Sequence, residues 1–287
     1  MFNKLPLLLR RCSIIPKYIA NQANGSSSSE FINVEKLENR LYMLTLCRKN
    51  GLNSFSKQML AEFNEKVCKL SQDRENVSVV IVQSSVEKVF CAGADLKERL
   101  VMPESEIAAF VTSLRDAFTS LAEAPFISIA AIEGSALGGG LELALSCDMR
   151  IAGAKAKLGL PELSLAVIPG AGGTQRLPTI VGVAKAKELI YLGTILSAEK
   201  AAAISLVNEA VEDGKAVERA LQLGRIMIAK GPVALRTAKA AINGSPANAV
   251  NMQWEGQLYG REVVHSQDRQ EGLKAFVEKR PPEYTGR

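Results

Sequence analysis

The 287-residue chain contains one histidine, His265, which excludes every site built on two imidazoles, including the usual zinc-hydrolase ligand sets. Five cysteines, at 12, 47, 68, 91 and 147, form no CxxC pair and no disulfide framework. They read as small apolar residues of a reducing compartment. No apolar run approaches the ~18 residues that a membrane span requires. A GxxxxGK[ST] phosphate loop and a GxSxG nucleophile elbow are both missing. GAGGTQ at 170–175 lacks the third glycine of a dinucleotide fingerprint, and no acidic ribose anchor follows at the usual distance. With 47% apolar and 23% charged residues, what is left is an ordinary globular composition.

The formal charge of +5 is unevenly placed. Lys4, Arg10, Arg11 and Lys17 lie in the first 29 residues, which hold no acid, so the body from Glu30 onward is almost neutral. A nearly neutral body lacks the field that draws in a phosphate backbone. The cationic, Ser-rich, acid-poor segment 1–30 has the composition of a mitochondrial transit peptide, and the matrix is the expected location. A secretory signal would need a longer uninterrupted apolar core. A leader without an address is the plainer alternative, and 1–30 stays out of the fold in either case.

From Phe31 the pattern alternates. Segments 41–47, 77–82, 127–132 and 149–152 read as strands from their β-branched and apolar content. Segment 55–70 places Met59, Leu60, Phe63, Val67 and Leu70 at helical spacing, and 107–121 and 141–146 also read as helices. Beyond these come helical segments at 185–192, 198–203, 217–230 and 233–243, and a last helix near 252–264. Strands alternating with helices, followed by helices alone, predict an α/β body with an α-helical tail.

Two glycine-bearing loops each follow an apolar strand: Cys91-Ala92-Gly93-Ala94-Asp95-Leu96, and Gly134 through Glu142 with three consecutive glycines at 138–140. Carboxyl ends of strands in an open α/β layout are where ligands sit. Glycines opening a helix leave backbone N–H groups accessible, and the helix dipole favours an oxygen that becomes negative. A glycine triplet equally permits close strand–helix packing. Glu142, one turn after Gly139, and Glu162, after Pro161, are candidate acid/base carboxylates, since mutual repulsion lets one donate while the other accepts. Either glutamate alone would read as a surface charge. Asp95 and Asp148 read as structural hydrogen-bonders, Cys91 as a small filler, and Arg176 as packing or capping its helix.

At these residues the sequence resembles the enoyl-CoA hydratase/isomerase (crotonase) family. The matching segments are FCAGADLKE at 90–98, IAAIEGSALGGGLELALSCDMRIA at 129–152, LGLPEL at 158–163, IPGAGGTQRLP at 168–178 and FVEKRPPEY at 276–284. Within the family it is most similar to mitochondrial short-chain and methylglutaconyl-CoA hydratases. The resemblance implies a spiral of ββα units over 31–222 and a helical trimerisation region over 223–287, giving homotrimers or homohexamers. It implies an oxyanion hole from the N–H groups of Ala94 and Gly139, with Glu142 and Glu162 as catalytic acids. It places coenzyme A along Lys49, Leu52, Ala92, Gly93, Ala94, Asp95, Leu96 and Gly138, with Phe276 and Lys279 reaching it from the tail. The implied reaction adds water to a 2-enoyl-CoA to give a 3-hydroxyacyl-CoA, with no metal or redox cofactor.

Alternatives within the resemblance are an enoyl-CoA isomerase and a 3-methylglutaconyl-CoA hydratase that also binds RNA. Isomerases typically keep one of the two acids, so possession of both favours hydration. The helix that would serve RNA, SKQMLAEFNEKVCK at 56–69, mixes Glu62 and Glu65 with Lys57, Lys66 and Lys69, which is the pattern of a solvated face. RNA binding is therefore not expected.

Overall fold

The computed structural model describes residues 31–244 and 252–287. The expected leader at 1–30 lies outside the described residues. Among the described residues ten strands form two sheets. Strands β1 (Ile32–Glu38), β2 (Leu41–Leu46), β3 (Val79–Ser84), β5 (Ile127–Ile132), β7 (Met149–Gly153) and β10 (Glu209–Val211) make the first, in that spatial order. Strands β4 (Val89–Cys91), β6 (Ser135–Leu137), β8 (Lys157–Gly159) and β9 (Leu196–Ser197) make the second. The pairs β1–β2 and β8–β9 are antiparallel and all others are parallel.

The chain repeats one move. It leaves the first sheet at β3, β5 or β7, adds a short strand to the second sheet at β4, β6 or β8, and turns into a helical segment. Each pass adds its strands beside those of the pass before. This is the crotonase spiral. Its consequence is local: the segments following β4, β6 and β8 leave neighbouring strands of the second sheet on the same side.

The central strands of the first sheet are buried on both faces, which accounts for the continuous apolar runs of β3 and β5. Period-two alternation sends Val80, Val82, Ala130 and Ile132 into the main core. There helix α1 (Lys57–Gln72) delivers Met59, Leu60, Phe63, Val67 and Leu70. The rings of Phe55, Phe63 and Phe118 meet edge to face, with centroids 5.3 to 6.1 Å apart. Leu41, Val79, Ile81, Ile129 and Ile151 point the other way, beneath Ala216 and Ala220.

After β4 come helices α2 (Leu96–Leu100) and α3 (Glu104–Ala122), and after β6 comes α4 (Gly139–Ser146). Helices α5 (Gly173–Val181), α6 (Val183–Leu192), α7 (Ala198–Ala203), α8 (Ala216–Ile228) and α9 (Pro232–Asn243) follow. The boundary expected at 222–223 falls inside α8, a continuous helix that covers the outer face of the first sheet.

The end of the chain departs from expectation. The segment expected as one helix is α10 (Met252–Leu258) followed by a π turn, Tyr259–Val263, and a further helix, α11 (Gln267–Glu278), comes after it. That last helix buries only Asp268 and Ala275, so it carries no apolar stripe for periodicity to detect. Its start is set locally, by Ser266 Oγ accepting from the Arg269 N–H at 3.1 Å. Among the described residues no helix is long and apolar enough to cross a membrane.

Candidate active site

The first loop runs from the end of β4 into α2. Gly93, at φ +97°, turns the backbone so that it runs beside residues 52–55. Ala92 N–H donates to Leu52 O (3.1 Å), Phe55 N–H to Gly93 O (2.7 Å) and Asp95 N–H to Phe55 O (3.0 Å). Among the described residues the Ala94 N–H makes no backbone hydrogen bond. Asp95 caps α2, accepting from Lys97 N–H at 3.1 Å and Glu98 N–H at 3.2 Å.

The second loop leaves β6, and each glycine of the triplet has its own constraint. Gly138 adopts φ +53° and ψ −127°, outside the regions open to other residues. A side-chain carbon on Gly139 would lie 3.3 Å from Ala94 N and 3.2 Å from Gly93 Cα. One on Gly140 would overlap the Cys91 carbonyl oxygen. The packing reading of the triplet therefore holds: α4 fits against β4 only through glycine, and that fit brings Gly139 beside Gly93 and Ala94. As the first residue of α4, Gly139 has no acceptor within its own helix, and the helix dipole adds to the field at its N–H.

Glu142 lies one turn further along α4 and is 3% exposed. Its Oε1 accepts from Ala171 N–H at 2.8 Å and from Gly173 N–H, at the start of α5, at 2.7 Å. Burial pushes its carboxyl upward. The Gly173 and Ala171 amides and the charges of Arg176 and Arg115 pull against that. Glu162 opens the short 3₁₀ turn Glu162–Leu165 after β8. Its Oε1 would lie 3.3 Å from a carbon placed on Gly138, and its Oε2 is buried with no hydrogen-bond partner. Burial lifts its pKa to about 7; its own backbone N–H opposes the rise and the charge of Glu142 adds to it.

Several contributors were not legible in the sequence. The backbone N–H groups of Ala171 and Gly173 hold Glu142, and two arginines hold that loop in turn. Arg176 Nη1 donates to Ala171 O and Nη2 to Thr119 Oγ1, both at 3.0 Å, while Arg115 Nε donates to Gly170 O at 2.9 Å. Arg48 joins the first loop to the segment before it. The pattern gave no signal for the roles of these groups, because the contacts of Ala171 and Gly173 with Glu142, of Arg115 with Gly170 and of Arg48 with Asp95 join residues 29 to 55 positions apart.

Leu52, Ala92, Gly93, Ala94, Asp95, Gly138 and Gly139 come together, with Leu96 beside them and 53% exposed. Lys49 starts the 3₁₀ turn that precedes Leu52. Phe276 and Lys279 stand elsewhere, on and just after α11, and the Phe276 ring is 83% exposed. Cys91 is inert: burial pushes its thiol up to about 12, and its Sγ donates to Asn53 O.

Paired amides beside a protonatable buried carboxyl suit a thioester carbonyl that gathers negative charge. Residues 36–287 match the family described as enoyl-CoA hydratase/isomerase. The chain belongs to that family. It is 46% identical over 256 residues to the mitochondrial methylglutaconyl-CoA hydratase of Rattus norvegicus, covering 87% of this chain and 81% of the relative. It is 40% identical over 291 residues to the mitochondrial enoyl-CoA hydratase domain-containing protein 2 of Homo sapiens, covering 98% and 96%. The crystal structure of an enoyl-CoA hydratase from Bacillus anthracis superposes with a TM-score of 0.86 at 42% identity, over 90% of this chain and all of that one. The chain is a hydratase-type lyase acting on CoA thioesters, in fatty-acid or branched-chain breakdown.

Proposed function

We propose that Ala94 N–H and Gly139 N–H receive the thioester oxygen of a 2-enoyl-CoA, and that Glu142 and Glu162 hold one water over Cβ. The observation that carries the division of labour is the unequal anchoring of the two acids. Glu142, held at Oε1 by two backbone N–H groups, accepts the proton of the attacking water. Glu162, buried and unpartnered at Oε2, is protonated near neutrality and delivers its proton to Cα. As water adds, charge collects on the thioester oxygen, where each donor contributes about 2.7–4 kcal/mol by precedent. The product is a 3-hydroxyacyl-CoA.

Coenzyme A follows the Leu52 and Ala92–Asp95 segments, with Lys49 close to its path. Phe276 and Lys279 complete its site in a homotrimer or homohexamer. The exposed Leu273, Phe276 and Val277 of α11 support such an assembly. Import into the mitochondrial matrix fits both the leader composition and the two mitochondrial relatives, one of which aligns over 98% of the chain.

The similarity to a methylglutaconyl-CoA hydratase favours a branched, dicarboxylic acyl group as the second reading. Turnover of crotonyl-, tiglyl- and 3-methylglutaconyl-CoA, with a 3-enoyl-CoA alongside, tests both. Hydration of at least one 2-enoyl thioester is expected. Conversion of the 3-enoyl thioester alone would reassign the chain as an isomerase.

A further inference from the structure

The direction of the Ala94 N–H is set by main chain that glycine makes soft, so something outside the loop must hold it. Gly93 precedes it at φ +97°, and the neighbouring segment contains Leu52 and Asn53 at φ 50° and 56°, a left-handed pair without a glycine. Asn53 is fastened by its side chain, donating to Ser84 Oγ at 2.7 Å and Phe90 O at 3.0 Å, while its Oδ1 accepts from Arg48 N–H at 2.9 Å.

The guanidinium of Arg48 does the rest. Nη1 donates to Ser54 O at 2.7 Å and to Ser54 Oγ at 2.9 Å, and Nη2 donates to Asp95 Oδ2 at 2.7 Å. The Arg48 and Asp95 side chains are 19% and 14% exposed. Arg48 thus grips the residue before Phe55 and the residue after Ala94, while Phe55 bonds to both Gly93 and Asp95. Room for the guanidinium exists because residue 51 is glycine: a side-chain carbon there would overlap Nη1. A planar fork can bind acceptors on two separate segments at once, which an ammonium cannot reproduce.

We propose that Arg48 is a positioning residue for the oxyanion hole, fixing the aim of the Ala94 N–H by bridging Ser54 and Asp95. This rests on the reading of Ala94 as an oxyanion donor. Oxyanion donors act at hydrogen-bond distance, and a shift of about 1 Å away from the chemistry can cost about 10²-fold in rate. Asp95 takes part through its charge and its cap. Burial raises its pKa, but the Arg48 hydrogen bond, the Glu98 amide and the Arg48 charge outweigh that and hold it ionised.

The test uses the full chain and three variants: Arg48→Gln, Arg48→Lys and Gly51→Ala, the last displacing the guanidinium without altering any charge. Crotonyl-CoA kinetics are paired with the absorption shift of a bound para-dimethylaminocinnamoyl-CoA, whose band moves to longer wavelength as its carbonyl is polarised. In Arg48→Gln and Gly51→Ala, kcat should fall by about 10- to 100-fold with KM little changed, and the red shift should shrink. Arg48→Lys should be intermediate. A red shift that survives intact in Gly51→Ala and in whichever Arg48 variants fold overturns the proposal, even if melting temperatures drop. A wild-type protein that binds the chromophore with no red shift overturns the hole itself and this inference with it.

Discussion

The charge of Glu142 reinforces the burial that lifts Glu162 to about 7. The two carboxyls are unequal: one is fastened by backbone N–H groups at 2.7 and 2.8 Å, the other has a buried oxygen with none. That inequality suits the proposed addition of water to an enoyl thioester, in which one group accepts a proton as the other gives one.

Glu162→Gln and Glu142→Gln should each lower crotonyl-CoA hydration by about 10²- to 10⁴-fold, because each removes one proton-transfer partner. Binding of a non-reacting acyl-CoA, measured by calorimetry, should persist, since the hole and the coenzyme A path are untouched. Near-normal turnover in both variants would reject the assigned roles.

The pH dependence follows from the raised value of Glu162. Above about pH 7 the pair loses its shared proton, so kcat/KM should fall on the alkaline side. Hydration and dehydration should share that limb, because the pair carries one proton in either direction. Stability moves in the same sense. A carboxyl whose folded value lies above its ordinary 4.5 contributes stability that is full below that value and lost as pH rises through about 7. Glu162→Gln should therefore melt higher than the wild type at pH 8, with the gap closing at pH 5. A flat profile across this range in the wild type would contradict the burial of Glu162.

Lys239 ties the helical region to the sheet. Its Nζ donates to Asp148 Oδ2 and to Phe126 O, each at 2.8 Å, and its side chain is 5% exposed. The same Asp148 oxygen accepts from Ser128 N–H at 2.7 Å and Ser128 Oγ at 3.0 Å. Lys239→Met leaves a carboxylate without its cation and should cost about 3 kcal/mol in urea unfolding. Adding Asp148→Asn should recover part of the loss. Equal midpoints for Lys239→Met and wild type would show the pair to be idle.

The alternation of strands and helices was legible because the central strands are buried on both faces and the helices carry regular apolar stripes, as in 79–84 and in Met59 through Leu70, whereas the spiral was implied by the family resemblance. The helix Gln267–Glu278 was not, because it turns Leu273, Phe276 and Val277 to the surface and buries almost nothing. The glycine triplet announced a tight turn at a helix start. That Gly140 stands against Cys91 and Gly139 against Gly93 could not be read from spacing, because these contacts cross between strands.

The sequence alone determined which groups could do chemistry, glycines where a helix begins and two glutamates after strands, and which could not, a single histidine and scattered cysteines. Residue type and local spacing carry that information, since helix and strand periods act over a few positions. Only the tertiary structure decided that Glu142 is fastened by the amides of Ala171 and Gly173, that Glu162 Oε2 is buried without a partner, and that Arg48 reaches Asp95. Burial and charge coupling depend on distances in space, and those arise when the successive turns of the spiral stack β4, β6 and β8 side by side.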